Sequence, residues 1–134
     1  MNSVTQPERN TSETILVVDD QPIVREAIRE VLERAGFCVL VAASGAQAIQ
    51  LERTTQGDIQ LLISDVTMPE MSGQAGAELL EKRRPEIRVM LMSGYSEGES
   101  LFLSHGWHFI EKPFRASKLV ERVNQVLHLP ALAS

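Results

Sequence analysis

Short unbroken apolar runs alternate along this chain with longer stretches in which apolar positions recur every three or four residues. Ile15-Leu16-Val17-Val18, opening at Thr14, is the first such run, and its continuous character predicts a strand buried on both faces. It leads into Asp19-Asp20, and Pro22 then suits the first turn of a helix, where a missing N–H costs nothing. In that helix Val24, Ile28, Val31 and Leu32 share one face while Arg25, Glu26, Arg29, Glu30 and Glu33 take the other, and Gly36 is a natural stop. The alternation repeats. Cys38–Ala42 predicts a second strand, and Ser44 caps a helix carrying Ala48, Ile49 and Leu51 that Gly57 ends. Leu61-Leu62-Ile63 is a third strand terminating in Asp65, followed by the loop Met68-Pro69-Glu70-Met71-Ser72-Gly73 and a helix from Ala75 to about Arg83. Pro85 breaks the chain before a fourth strand, Val89–Met92, which ends at Ser93-Gly94. A short helix is predicted within Glu97–Ser104, a brief fifth strand at Phe109-Ile110, and a last helix over Ser117–Leu127 with Leu119, Val120, Val123 and Leu127 inward. Five strands alternating with five helices predict an α/β fold, a doubly wound five-stranded parallel sheet with helices on both faces.

Composition narrows the class. A chain of 134 residues has room for one core, read here as a polar leader (1–13), a folded domain (14–128) and a tail (129–134). With 43% apolar and 23% charged residues it is globular, and with only 4% aromatics its core must be built from Leu, Ile, Val and Ala. A net charge of -5 argues against a nucleic-acid partner, which would select for clustered Lys and Arg. Glu81-Lys82-Arg83-Arg84 accordingly reads as the solvated end of the third helix. The lone Cys38 excludes an internal disulfide, fits a reducing compartment and reads as a small core residue. No apolar run approaches the roughly 20 residues that span a bilayer, and Met1 to Glu13 lacks a signal-peptide core, so no membrane contact and a cytoplasmic location are expected.

The chemistry collects at the carboxyl ends of the strands, where ligands of such sheets bind. Strand one ends in Asp19-Asp20, strand three in Asp65, strand four in Ser93 and strand five in Lys112. Two carboxylates ~5 Å apart repel by about 1 kcal/mol even at the dielectric constant of water, and one lysine cannot neutralise three acids. A hard cation could, and an all-oxygen site suits Mg²⁺ better than Zn²⁺. Cys38 is alone, and His105, His108 and His128 have no metal-ligand spacing. A divalent cation beside a nucleophilic carboxylate is equipment for phosphoryl transfer.

Val17-Val18-Asp19-Asp20, Asp65-Val66-Thr67-Met68-Pro69, Ser72-Gly73, Met92-Ser93-Gly94-Tyr95 and Lys112-Pro113-Phe114, in that order, resemble the receiver domain of two-component response regulators. The resemblance covers about residues 14–128, and Ser93-Gly94-Tyr95 resembles receivers attached to hybrid histidine kinases more than those attached to DNA-binding domains. It implies the flavodoxin-like fold and a phosphoacceptor rather than an enzyme. Asp65 would take a phosphoryl group from phosphohistidine on a histidine kinase or a histidine phosphotransfer protein. Asp20, Asp65 and the Thr67 carbonyl would hold Mg²⁺, with Asp19 acting mainly through an intervening water. Lys112 and the Ser93 hydroxyl would meet the phosphoryl group, together with the backbone N–H groups of Val66 and Gly94. Lys112-Pro113 would be cis, Ser93 and Phe109 would form the switch, and Thr67 and Tyr95 would tune phosphate lifetime. Output would pass by protein–protein contact, with a passive phosphate sink as the alternative. The segment from Ser93 to Lys112 is about one helical turn shorter than in chemotaxis-type receivers, so its helix should be short.

Plainer readings stand beside these. Asp19 or Asp20 could cap the first helix, Asp65 or Ser93-Gly94 could be turn residues, Lys112 a surface charge, and Phe109 partly core. Two other functions share the fold class. An aspartyl-phosphate phosphatase of the haloacid-dehalogenase type usually has a second Asp two residues after the nucleophile, where this chain has Thr67. A flavin mononucleotide binder would want a first loop rich in Ser, Thr and Gly, whereas Asp19-Asp20 would repel its phosphate. The pair Trp107-His108 has no role in any of these readings.

Overall fold

The first apolar run forms a strand, Thr14–Val18 (β1), and the rest of the alternation follows it through α1 (Pro22–Arg34), β2 (Cys38–Ala42), α2 (Gly45–Thr54), β3 (Leu61–Asp65), α3 (Gly73–Arg83), β4 (Arg88–Ser93), β5 (His108–Glu111) and α4 (Ala116–Leu127). The structure is a computed structural model that describes residues 13–66, 68, 72–94 and 106–128. The helix expected within Glu97–Ser104 lies outside the described residues, as do Thr67 and Tyr95. All strands pair parallel in the order β2-β1-β3-β4-β5, so the sheet is built outward in both directions from β1. No helix among the described residues is long and apolar enough to cross a membrane.

Successive side chains of a strand point to opposite faces, which divides the core in two. Ile15, Val17, Ile63, Met90 and Met92 meet Ile28 and Leu32 of α1 and Leu119, Val123 and Val126 of α4. Leu16, Val18, Leu62, Val89 and Leu91 meet Ala48 of α2 and Ala77 and Leu80 of α3. Each of the larger side chains contributes about 1.5–3 kcal/mol by leaving water. A one-residue slip would turn every one of them to the wrong face, so the register is tightly held. That register decides which strand ends meet.

Several local expectations change. Cys38 is exposed, not core, because β2 is an edge strand whose first residue reaches beyond the helices. Val126 replaces Val120 in the buried stripe of α4. The second helix stops at Thr54 rather than near Gly57, since the Thr55 hydroxyl donates to the Leu51 carbonyl at 2.7 Å. The third begins at Gly73, two residues early, because Ser72 Oγ accepts the Ala75 N–H at 3.1 Å. Trp107 gains an account: it is 2% exposed, packs on the α2/α3 side, and donates its indole N–H to Glu81 Oε2 at 2.9 Å. Burial, and then the charges of Arg122 and Arg88, hold the neighbouring His108 imidazole below its usual range.

The cationic end of α3 is not simply solvated. Glu52, on the inner face of α2, is buried and accepts hydrogen bonds from Arg83 Nε and, at 2.9 Å, from Arg84 Nε. Arg84 also donates to the carbonyls of Gly57 at 2.8 Å and Thr55 at 3.0 Å, closing the turn that leaves α2. Burial pushes the Glu52 carboxyl up, but the hydrogen bonds and charges of Arg83 and Arg84 outweigh it and leave it below the ordinary carboxylate value. A carboxyl lowered by folding stabilises the protein above its unfolded pKa and loses that contribution as pH falls through the folded one. Replacing one partner, Arg84→Met, should therefore cost about 2–4 kcal/mol at pH 7, with the gap from wild type narrowing below about pH 4. Urea unfolding at a series of pH values measures both.

Candidate functional site

In the order β2-β1-β3-β4-β5 the chain reverses its direction of travel at β1, and α1 and α3 leave β1 and β3 on opposite faces. A crevice opens beyond the carboxyl ends of these two strands. Register places its lining: Val18 pairs with Ser64, Asp65 with Met92, and Ser93 with Glu111. Asp19, Asp65, Ser93 and Lys112 therefore stand at the same edge of four adjacent strands.

Asp19, Asp20 and Asp65 each bring a carboxylate oxygen to within 4.8 Å of the others. Asp19 is fully buried and Asp20 exposed, while the Asp65 side chain keeps 15% of its surface accessible. Lys112 Nζ lies 3.4 Å from Asp19 Oδ2 and 3.4 Å from Asp65 Oδ2, bridging the two strands. Its peptide bond to Pro113 is cis, and its backbone N–H donates to the Ser93 carbonyl at 2.7 Å. Lys112 is thus paired with two acids and is not a solvated surface charge. Asp19 has a second duty that the chain pattern only half announced. Its Oδ1 accepts the Gln21 N–H at 2.8 Å and its carbonyl accepts Arg25 Nη1 at 2.8 Å, so it also shapes the turn into α1. Gln21, not either aspartate, is the N-cap. Arg25, read from its helical spacing as a polar-face residue, is an anchor of the site.

The donor set fits a hard cation. Three carboxylates crowd one another and the ammonium of Lys112 contacts two of them, each acid pair costing about 1 kcal/mol even if screened as in water. Asp20 accepts no hydrogen bond from the described residues, so its oxygens are available. Oxygen ligands without thiolate or imidazole favour Mg²⁺.

The remaining predicted residues divide. Ser93 is buried beside the site and Gly94 follows it exposed. The Val66 N–H, expected to face a phosphoryl group, donates instead to the Met92 carbonyl at 2.9 Å, because the β3–β4 pairing runs one residue past the strand end. Phe109 is half-buried, and its carbonyl accepts Arg122 Nη2 at 3.0 Å.

A doubly wound parallel sheet that gathers acids from β1 and β3 and a lysine from β5 at one edge is the architecture of a flavodoxin-like signalling domain. The chain belongs to the response regulator receiver domain family, whose model matches residues 15–124. It is 34% identical over 119 residues to the sensor kinase CckA of Brucella abortus (strain 2308), covering 87% of this chain and 13% of the kinase. It is 31% identical over 119 residues to the chemotaxis protein CheY of Bacillus subtilis (strain 168), covering 85% of this chain and 97% of that one. Among solved structures, the receiver domain of the hybrid histidine kinase CckA matches with a TM-score of 0.75 at 35% identity, over 86% of this chain and 99% of the other. The response regulator TrrA of Thermotoga maritima, crystallised in complex with Mg(2+)-BeF, matches with a TM-score of 0.75 at 31% identity, over 86% and 99%. The chain is therefore a two-component receiver domain, related to one carried by a hybrid kinase.

Charge crowding makes the first test thermodynamic. Asp20→Asn should raise the melting temperature in metal-free buffer by about 4 °C, the equivalent of about 1 kcal/mol in a domain of this size. The same change should abolish the thermal shift that Mg²⁺ produces in the wild type. Equal Mg²⁺ shifts in both proteins, measured by differential scanning calorimetry, would put the cation elsewhere.

Proposed function

We propose that Asp65 is the phosphoacceptor of a two-component phosphorelay, loaded in the cytoplasm from phosphohistidine on a histidine kinase or histidine phosphotransfer protein. The observation that carries this reading is Lys112 Nζ, 3.4 Å from both Asp65 Oδ2 and Asp19 Oδ2 in a cluster that is otherwise acidic. A carboxylate beside an ammonium supports this reading, since the one would attack and the other would meet the incoming anion.

An Asp65 carboxylate oxygen attacks phosphorus; the new O–P bond forms as the N–P bond breaks, and the imidazole nitrogen leaves with the bonding pair. Asp19, Asp20 and Asp65 would hold Mg²⁺, with the Thr67 carbonyl as the family's further ligand. Bound there, Mg²⁺ supplies neutralisation of charge on the phosphoryl oxygens. Lys112 trades its contact with Asp65 for one with the phosphoryl group while keeping Asp19, and Asp19 keeps it aimed. The Ser93 hydroxyl and Gly94 N–H would donate to the remaining oxygens. The domain thereby assists its own phosphorylation and dephosphorylation and needs no separate active site.

Signal can leave through the sheet. Leu91 pairs with Phe109 and Ser93 with Glu111, so Ser93 and Phe109 share one face of neighbouring strands. A hydrogen bond from Ser93 to a charged phosphoryl oxygen is worth about 1.5–3 kcal/mol, enough to bias a two-state packing of Phe109. Output is then a protein–protein contact whose partner reads this face.

Acetyl phosphate or phosphoramidate with Mg²⁺, followed by borohydride trapping and mass spectrometry, tests the acceptor. Wild type should gain one phosphate equivalent at Asp65, and an Asp65→Asn protein that gains a full equivalent overturns the assignment. Lys112→Ala should bind Mg²⁺ at least as well, having lost a competing cation. For the switch, beryllofluoride should shift backbone amide resonances at Ser93, Gly94 and residues 106–110. Shifts confined to the surroundings of Asp65 would make the domain a phosphate sink.

A further inference from the structure

Ser64 is a polar residue in an apolar place. It is 3% exposed, and its register neighbours Val18 and Leu91 both belong to the core facing α2 and α3. A hydroxyl there costs free energy relative to a methyl group unless it is bonded. Its Oγ donates to the backbone carbonyl of Asp65 at 3.1 Å, the carbonyl immediately behind the predicted nucleophile.

The first residue of α3 meets the same carbonyl. A Cβ built on Gly73 would lie 2.0 Å from the Asp65 carbonyl oxygen, 2.9 Å from its carbon and 3.1 Å from Ser64 Oγ. Any side chain at that position must push the helix or the strand away, so glycine is required here for space rather than for its dihedral freedom. The Gly73 N–H donates to the Val66 carbonyl at 3.0 Å, and Ser72 Oγ fixes this first turn by accepting the Ala75 N–H. On the other side, the Val66 N–H is held by the Met92 carbonyl at 2.9 Å.

The peptide plane joining Asp65 to Val66 is thus gripped at both ends: its N–H by β4, its carbonyl by Ser64 and the close backbone of Gly73. A peptide plane moves as one body, and Asp65 Cα lies on it. Rotating the plane would swing the carboxylate relative to Lys112 and Asp19. We infer that Ser64 and Gly73 are positioning residues for the phosphoacceptor, forming a seat that fixes the angle at which Asp65 meets the phosphoryl group. This rests on the reading of Asp65 as the acceptor, and adds residues that touch neither cation nor phosphate. Misplacement by about 1 Å can cost on the order of a hundredfold in such a reaction.

The test compares phosphorylation kinetics of the full chain with phosphoramidate and Mg²⁺ in wild type, Ser64→Ala, Ser64→Thr and Gly73→Ala. Ser64→Ala should lower the maximal rate about tenfold, with the half-saturating phosphoramidate concentration unchanged. Ser64→Thr, which restores a hydroxyl at the same atom, should recover most of that loss. Gly73→Ala should fall further than Ser64→Ala; if it does not fold, the Ser64 pair decides alone. A wild type that takes no phosphoryl group removes the underlying acceptor reading. A phosphorylated wild type matched in rate by Ser64→Ala overturns the seat, and so does a loss in Ser64→Ala that Ser64→Thr fails to restore.

Discussion

Asp19 holds a carboxylate with no exposure to water, next to the carboxylates of Asp20 and Asp65, and shares the ammonium of Lys112 with Asp65. Like charges at these separations repel, and a free chain would relieve the strain by moving them apart. Asp19 and Asp65 cannot, because one directly follows β1 and the other ends β3, and the apolar side chains of both strands are locked into the core on both faces. The burial of those strands outweighs about 1 kcal/mol of repulsion per acid pair several times over. Packing therefore stores an electrostatic demand at one edge of the sheet, of the kind that a hard cation could answer.

Glu52, the other buried acid among the described residues, meets the same problem with two cations. Glu52 receives Arg83 and Arg84, and Arg84 goes on to tie the Gly57 and Thr55 carbonyls. Its charge is fully answered from within, and the result is a clamp between α2 and α3. At the strand ends, by comparison, the ammonium of Lys112 is divided between Asp19 and Asp65, with the Asp20 carboxylate close by.

The two arrangements meet in α3. Its carboxyl end carries the arginines of the Glu52 clamp and, through Glu81, the indole of Trp107 just ahead of β5. Its amino end presses Gly73 against the Asp65 carbonyl. A helix fixed at its far end by charge and by Trp107 is a stiff support for the strand end that it backs. Asp65 ends β3 in the middle of the sheet, whereas Ser93 ends the neighbouring β4 and Phe109 stands on β5 at the edge, so this support acts on a different strand from theirs.

Much of this was legible in the chain itself. Continuous apolar runs mark strands buried on both faces, and the residues that end them, Asp19, Asp20, Asp65, Ser93 and Lys112, could be read as one cluster because a parallel sheet brings strand ends together. Local pattern carries that information since each residue's place depends only on its own strand. It could not tell that Cys38 would be exposed, that Glu52 would be buried between two arginines, or that Trp107 would find Glu81. Nor could it tell that the Val66 N–H would bond to β4, or that Gly73 would touch the Asp65 carbonyl. Those outcomes turn on which strand lies at an edge and on how closely elements far apart in the chain approach. Distances of that kind are set by the packing of the whole core, and only the tertiary structure decides them.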